Sequence, residues 1–439
     1  MIPIAFLVLV LLLPPVPSAA PAALLASAED EATTRLASQR LALDTPRIRR
    51  RLAVSHPSVP VLSTTEVCGI TRSSAMTGGS VASDGGAAVT SRGICWSTGP
   101  TPTIADNKTA DGSGTGSFTS LVTGLSAGTG YCVRAYATNS VGTGYGSAIS
   151  FTTSMGYAGQ TPPGLTPELF APGLVSTAGN QSGVVVHPGG REIYFVVVEN
   201  RGGRVSCTIR VTRLVGCSWT SPEVAPFSGT YTDLYLAIHP DGSRMYFQSD
   251  RPIDPSESIY EYNIWYVERE GDGWSAPRSI GRPINGRNNT SGPSVTHDGT
   301  MYFTLMETAS GHSEIYRSRL LNGVYQEPER LPDEVNSRFQ TCDSYVAPNE
   351  SYLLFVAFPR TGHQNNPGGL YVSFRDQDRG WSEARDLRPT IGSEEGSNVT
   401  ISPEGRFLFL PRRDAAGVTG VDAYWVDADV VELVHAPAK

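Results

Sequence analysis

Beyond its first residues the 439-residue chain has no long apolar run, and both charge (17 %) and aromatic content (9 %) are low. No later segment approaches the roughly 18 apolar residues that a membrane-spanning helix requires, so the mature chain is expected to carry no such helix. Basic excess is missing too. With a formal net charge of -8 there is no positive field to condense on phosphates, which argues against nucleic acid and against an anionic membrane surface as partners. The 7 histidines are scattered without H-x-x-x-H spacing, and the 6 cysteines form no C-x-x-C pair, so zinc is not expected. There is no G-x-S-x-G elbow, no P-loop and no G-x-G-x-x-G following a strand. These absences leave no catalytic, cofactor-binding or metal-ligating residue to nominate.

What the chain does have is turns. With 46 Gly and 32 Pro, many short strands joined by tight connections are expected, hence an all-β fold. The opening MIPIAFLVLVLLLPPVPSAAPA reads as a signal peptide over 1–22, with an apolar run from Ile4 to Leu13 and an A-x-A site at Ala20-Pro21-Ala22. No Lys or Arg precedes that run, a departure from the usual pattern, and no Cys follows it until Cys68, so a lipid anchor is not expected. The mature protein is expected to be exported: periplasmic, at the cell surface or secreted. Residues 23–57 lack strand-like alternation and read as a linker, with Arg47, Arg49, Arg50 and Arg51 a solvated charge run.

Residues 58–154 alternate short β-branched and aromatic segments with Gly-Gly, Asp-Gly and Gly-Thr-Gly turns, the spacing of a small β-sandwich. In YCVRAYATN, Tyr131, Val133 and Ala135 share one face, with Cys132 and Arg134 on the other. Met76-Thr77-Gly78-Gly79, GICWS, TGLSAGTGYCVRAYATNSVGTGYG and the closing SFTTS make this segment resemble the fibronectin type III-like modules of secreted and surface bacterial proteins. That resemblance implies a spacer or adhesion unit without catalytic groups. Cys95 and Cys132, on strands expected to be neighbours, are the expected disulfide; a hairpin turn at Val215-Gly216 would not set Cys207 opposite Cys217.

From 160 to 439 the chain repeats. The turn-and-strand segments HPGGREIYF, HPDGSRMYF, THDGTMYF, APNESYLLF and SPEGRFLFL align on Gly190, Gly242, Gly299, Glu350 and Gly405. A second strand and an aromatic-led third follow in each unit, with Trp219, Trp274, Tyr325 and Trp381 in register. One strand before the turn and three after it make a four-stranded propeller blade. Five periods give five blades; the last lacks its outer strand, which LTPELFAPG (165–173) is expected to supply, closing the ring. The run from YFQSDRP through NIWYVEREGDGWSAPRSIGRPIN to SGPSVTHDGTMYF makes 165–432 resemble the TolB-like, WD-like repeat propellers of exported bacterial proteins. That implies the fold and leaves the function open.

The His239 and Asp241 pair in HPDGSRMYF has the residue types of an acid/base corner. The repeat puts Gly, Asp, Asn and Glu where Asp241 stands, so both residues are expected to serve a turn. The in-register aromatics are expected to pack between blades rather than to stack sugars. Asn263, Glu314 and Asp422 are expected to tie blades together through backbone. The acidic loop with Asp250, Asp254, Glu257 and Glu261 lacks a calcium-loop pattern and reads as solvated. The loops 199–206, 250–262, 307–313, 359–369 and 413–421 are expected to crowd one face. Together these readings point to a monomeric, non-enzymatic exported binding or scaffold protein, its propeller contacting a protein or glycan of the envelope or extracellular space. The alternative is a carbohydrate-active hydrolase or lyase with carboxylates on that face.

Overall fold

The structure, a computed structural model, describes residues 56–435 except 178, 202–203, 254–260, 287–288, 308–311, 337–338, 360–368, 377–379, 393–397 and 414–419. The segment read as a signal peptide, the linker arginines, and Asp254 and Glu257 lie outside the described residues. Strand dominates, and no described helix is long and apolar enough to cross a membrane.

Two sheets form first. One holds Val61–Cys68, Ser74–Ser83 and Gly116–Thr123; the other pairs Ser91–Ser97 with Asn107–Lys108 and with Gly130–Thr138, which also pairs with Thr143–Tyr145 and Ile149–Thr152. Period-two alternation sends Val133 and Ala135, with Tyr131 at the rim, into a core with Ala75, Ile94 and Val122. Gly79 permits the close approach of the two sheets, since a Cβ there would sit 2.6 Å from the Ala135 Cβ.

A β-propeller follows. Its five antiparallel sheets open with the strands Asn180–Val186, Asp233–Ile238, Asn289–Val295, Phe339–Val346 and Thr400–Ile401. These first strands line a central channel, and the sheets pack face to face around it. Met245 and Phe247 bury against Tyr194 and Ile209 of the preceding sheet, while Tyr246, pointing the other way, buries with Met301 and Phe303 of the next. The fifth sheet runs Thr400–Ile401, Phe407–Arg413, Val421–Asp427 and then Glu168–Leu169, so an early strand completes the last sheet.

Each in-register aromatic reaches back to the sheet before it. Trp274 donates to the Tyr194 hydroxyl at 2.8 Å, Trp381 meets Tyr302 edge-on at 6.2 Å, and Trp219 packs on the cluster holding Phe407 and Phe409. The polar ties differ from expectation. Asn263 donates to the Glu261 carbonyl, a local bond, and Glu314 is gripped by Arg330 of its own sheet at 2.7 and 2.9 Å, which holds its carboxyl down at about 2. Asp422 does reach a neighbour: with the Gln181 amide turned so that its oxygen accepts from Thr177, its nitrogen donates to Asp422 Oδ1 at 3.0 Å.

The residues that tie sheet to sheet are Ser176, Ser228, Asn285 and Asn336, which keep the register of the turn glycines. Asn336 is fully buried; it accepts from the Ile315 amide and the Thr341 hydroxyl and donates to the Ile315 and Leu331 carbonyls. Asn285 does the same for Ile264 and Thr290, Ser228 accepts from the Ile209 amide, and Ser176 donates to the Ala423 carbonyl. Replacing Asn336 with Ala strands several buried partners, and denaturant unfolding should show a loss of about 3 kcal/mol.

The disulfide joins Cys68 of the sandwich to Cys217 of the first propeller sheet, and Cys95 and Cys132 are free thiols. Their strands are neighbours as expected, but the register sets Cys95 opposite Arg134 and Cys132 opposite Ser97. Arg72 reinforces the joint: it pairs with Glu404 at 3.2 Å and lies over the rings of Tyr157 and Phe407, while Arg191 donates to the Gly69 carbonyl. A Cys68→Ser, Cys217→Ser protein should lose roughly 2–4 kcal/mol, read as a lower melting temperature against the same protein with Cys132→Ser.

Candidate functional site

His239 and Asp241 form a turn. The Gly242 amide donates to the His239 carbonyl at 2.7 Å, the Ser243 amide donates to Asp241 Oδ1 at 2.8 Å, and Asp241 accepts from the His239 ring. Partial burial pushes the Asp241 carboxyl up, but the Ser243 and His239 bonds outweigh it and hold it below the usual range. Gly190, Gly242, Gly299 and Gly405 take the left-handed conformation that this turn needs. Glu350 takes it at φ 58°, with its carboxylate held by the Tyr302 hydroxyl and Arg375.

A second left-handed position recurs seven residues before the turn, midway along the first strands of four sheets, where the register slips by a bulge, and just ahead of Thr400 in the fifth. It is occupied by Gly183, Tyr235, Gly292, Asp343 and Asn398, with φ of 57°, 52°, 55°, 52° and 60°. Two are the expected glycines and make room for their neighbours. A Cβ on Gly183 would sit 2.6 Å from Asn398 Nδ2, and one on Gly292 would sit 3.2 Å from Asp343 Cα. The other three carry side chains at a backbone cost of about 1–2 kcal/mol each. All three line one cavity of about 340 Å³ that runs along the channel.

Val185, Leu236, Ile238, Val295 and Ile401, from four of the sheets, give that cavity the apolar share of its wall, beside Ser294, His297, Thr400 and Ser402. One group of polar side chains sits at the bulge. The Tyr235 hydroxyl donates to Asp343 Oδ2 at 3.2 Å, bridging the second and fourth sheets past Gly292. Asn398 donates to the Ser182 hydroxyl at 3.3 Å, and the Ser344 Oγ, buried beside Asp343, has no hydrogen-bond partner among the described residues. Asp343 is 8 % exposed. Burial drives its carboxyl up to about 7, against the opposing bonds from Tyr235 and Cys342, and no cation pairs with it among the described residues. The nearby Asp343 charge, and then burial, push the Tyr235 phenol up as well.

A buried carboxyl that keeps its proton to about 7, against about 4 in the unfolded chain, costs the fold progressively more stability as pH rises between those values, and nothing further above. Asp343→Asn should flatten the fall in stability between pH 5 and 7 (about the middle of that window), measured by denaturant midpoints.

Away from the bulge the cavity is lined by the turns, including Glu404. This carboxylate is engaged, by Arg72 at 3.2 Å and by the Tyr157 hydroxyl at 2.5 Å. Of the acidic loop, Asp250 is buried and accepts from the Thr232 amide at 2.8 Å, which corrects the expectation that it is solvated. No cluster of metal-ligating side chains occurs among the described residues.

No family model matches the chain, and no curated protein does. Among solved structures it is similar to an α-L-arabinofuranosidase of Podospora anserina solved with cellotriose, at 10 % identity and TM-score 0.36, over 60 % of this chain and 94 % of that one. An endo-arabinanase of Bacillus licheniformis is similar at 15 % identity and TM-score 0.31, over 59 % and 94 %. A nidogen/laminin complex is similar at 12 % identity and TM-score 0.33, over 50 % and 70 %. At such scores these likenesses decide nothing about chemistry, and the functional reading rests on the channel.

Sequence reasoning nominated no site residue, yet the ring was within its reach. From Gly183 to Asn398 its members are spaced in the same steps as the turn glycines, seven residues before each of them. Counting seven back from Gly190, Gly242, Gly299, Glu350 and Gly405 exposes the Gly-Tyr-Gly-Asp-Asn series.

Proposed function

We propose that the chain is an exported, monomeric binding protein whose propeller takes a group of an extracellular or cell-envelope partner, protein or glycan, into its central channel. In this reading the propeller is five-bladed, its last blade closed by residues 168–169. A fibronectin type III-like sandwich is fixed to its rim, and 1–22 and 23–57 are a signal peptide and a linker. The observation that supports it most is the ring itself. Where glycine would sit without strain, the fold keeps Tyr235, Asp343 and Asn398, and all three line the same cavity. A cavity of about 340 Å³ suits a small ligand or the terminal group of a larger one.

Asn398→Gly separates structure from function, because it removes the side chain while favouring the backbone. Its melting temperature should stay level or rise, while binding to partners found on immobilised glycan and peptide arrays falls at least about tenfold. Unchanged binding would move the site off the channel.

A second reading, a carbohydrate hydrolase, has one observation in its favour: a carboxyl that holds its proton to near neutrality suits a general acid. Two-carboxylate hydrolysis also needs a second acid about 5–10 Å away. The other described carboxylate lining the cavity, Glu404, is committed to Arg72 and Tyr157. Product release from a glycan hit, abolished by Asp343→Asn, would put this reading first.

A further inference from the structure

We propose that the channel recognises a protonated primary amine, seated at the bulge against Asp343, with an apolar body lying along the channel wall. The inference rests on the binding reading above and deepens it.

The cavity combines apolar side chains with two sets of polar groups. Val185, Leu236, Ile238, Val295 and Ile401 line it and offer no hydrogen bonds to a ligand that is polar throughout. Towards the turns, Glu404 is already engaged by Arg72 and Tyr157. At the bulge, Asp343 accepts hydrogen bonds from Tyr235 and Cys342, although an ionised carboxylate has about four acceptor sites. Next to it, the Ser344 Oγ is buried without a partner among the described residues, and the Asn398 side chain reaches the same cavity.

An ammonium group has three donors and one positive charge, and the bulge has the matching deficit in both. A hydroxyl would satisfy some acceptors and leave the carboxylate charge uncompensated in a site poorly reached by water. A carboxylate ligand would add a second negative charge beside the first. Pairing of an ammonium with a carboxylate away from bulk water is a strong, short interaction. A divalent ion is a poorer match, since the described residues place a single carboxylate here and no ligating cluster.

The titratable groups facing Asp343 are Tyr235, from the second sheet, and Cys342, beside it on its own strand. The third sheet contributes Gly292 and the Thr304 hydroxyl, which accepts from the Asp343 amide. None of these brings a positive charge, and His297, the one basic side chain among the described residues that line the cavity, belongs to the turn segment away from the bulge, so at Asp343 the amine has to bring it. Proton and amine then compete for the same carboxyl.

The test uses the full chain and three probes of one shape: hexylamine, 1-hexanol and hexanoate, titrated by calorimetry at pH 8 and pH 6. At pH 8 hexylamine should bind at least about tenfold more tightly than hexanol, and hexanoate should not bind. Between pH 8 and pH 6 the affinity for hexylamine should fall about tenfold, as a carboxyl titrating midway between them requires, while that for hexanol stays level. Asp343→Asn should abolish both the preference and the pH effect; because the wild-type pH profile is an independent reading, a poorly folded variant does not rescue the idea. Equal affinity for amine and alcohol, amine binding indifferent to pH, or no binding by any probe would overturn it. Equal affinity for amine and alcohol, displaced by an array-identified partner, would leave the channel reading standing. Array binding untouched by Asn398→Gly would sink both.

Discussion

Removal of residues 165–173 is expected to leave a chain that is recovered as aggregate or melts without a cooperative transition. The segment does two things. Glu168–Leu169 pairs with Tyr424 and Trp425, covering the edge of the fifth sheet, and Phe170, fully buried, packs against Phe409 and Trp425 at 4.9 and 5.2 Å. Without it the third strand of that sheet exposes a row of unpaired backbone groups, a template for another chain. A point change isolates the packing share: Phe170→Ala should cost about 3–5 kcal/mol, measured by denaturant unfolding. A truncated chain with an unchanged melting temperature would mean that the ring closes by some other route.

Arg251→Met is the second large effect. Asp233 has no exposed side-chain surface, and Arg251 meets it at 2.8 Å while also donating to the Phe227 carbonyl and the Ser249 hydroxyl. The guanidinium lies 5.1 to 5.3 Å from the ring centres of Phe247, Trp265 and Tyr231. Burial already pushes the Asp233 carboxyl up in spite of Arg251. Removing the cation leaves a buried charge with no counter-ion, a loss of about 3–5 kcal/mol. The double change Arg251→Met, Asp233→Asn should recover a good part of that loss, because the stranded charge goes with it. A double variant as unstable as the single would show that the cost lies in lost ring packing instead.

Local signals carried the sequence a long way. The turn at His239 to Ser243 was readable because five copies of one turn cannot all be active sites, and the in-register aromatics were readable because equal register implies equal packing. Long-range partners were not. Cys68 and Cys217 lie 149 residues apart, and no periodicity connects a sandwich edge to a propeller turn. The expected Cys95–Cys132 bridge failed on register, a quantity set by strand pairing rather than by strand adjacency. Asn285 and Asn336 were not legible, because they owe their role to the carbonyls and amides left open where one sheet ends and the next begins. The ring of Tyr235, Asp343 and Asn398 is legible only by its constant spacing from the turn glycines. What sets it apart is a backbone conformation, and only the two glycines in the series hint at that.

Asp343 is a buried carboxyl midway along the strands that line the channel, with no cation paired to it among the described residues. Carbon-13 detected titration of the side-chain carboxyls reads this directly. A resonance with its midpoint at about 7, absent from Asp343→Asn, is the predicted result. A midpoint for Asp343 near the ordinary value of about 4 would mean that the carboxyl is solvated or already paired, and would contradict the account.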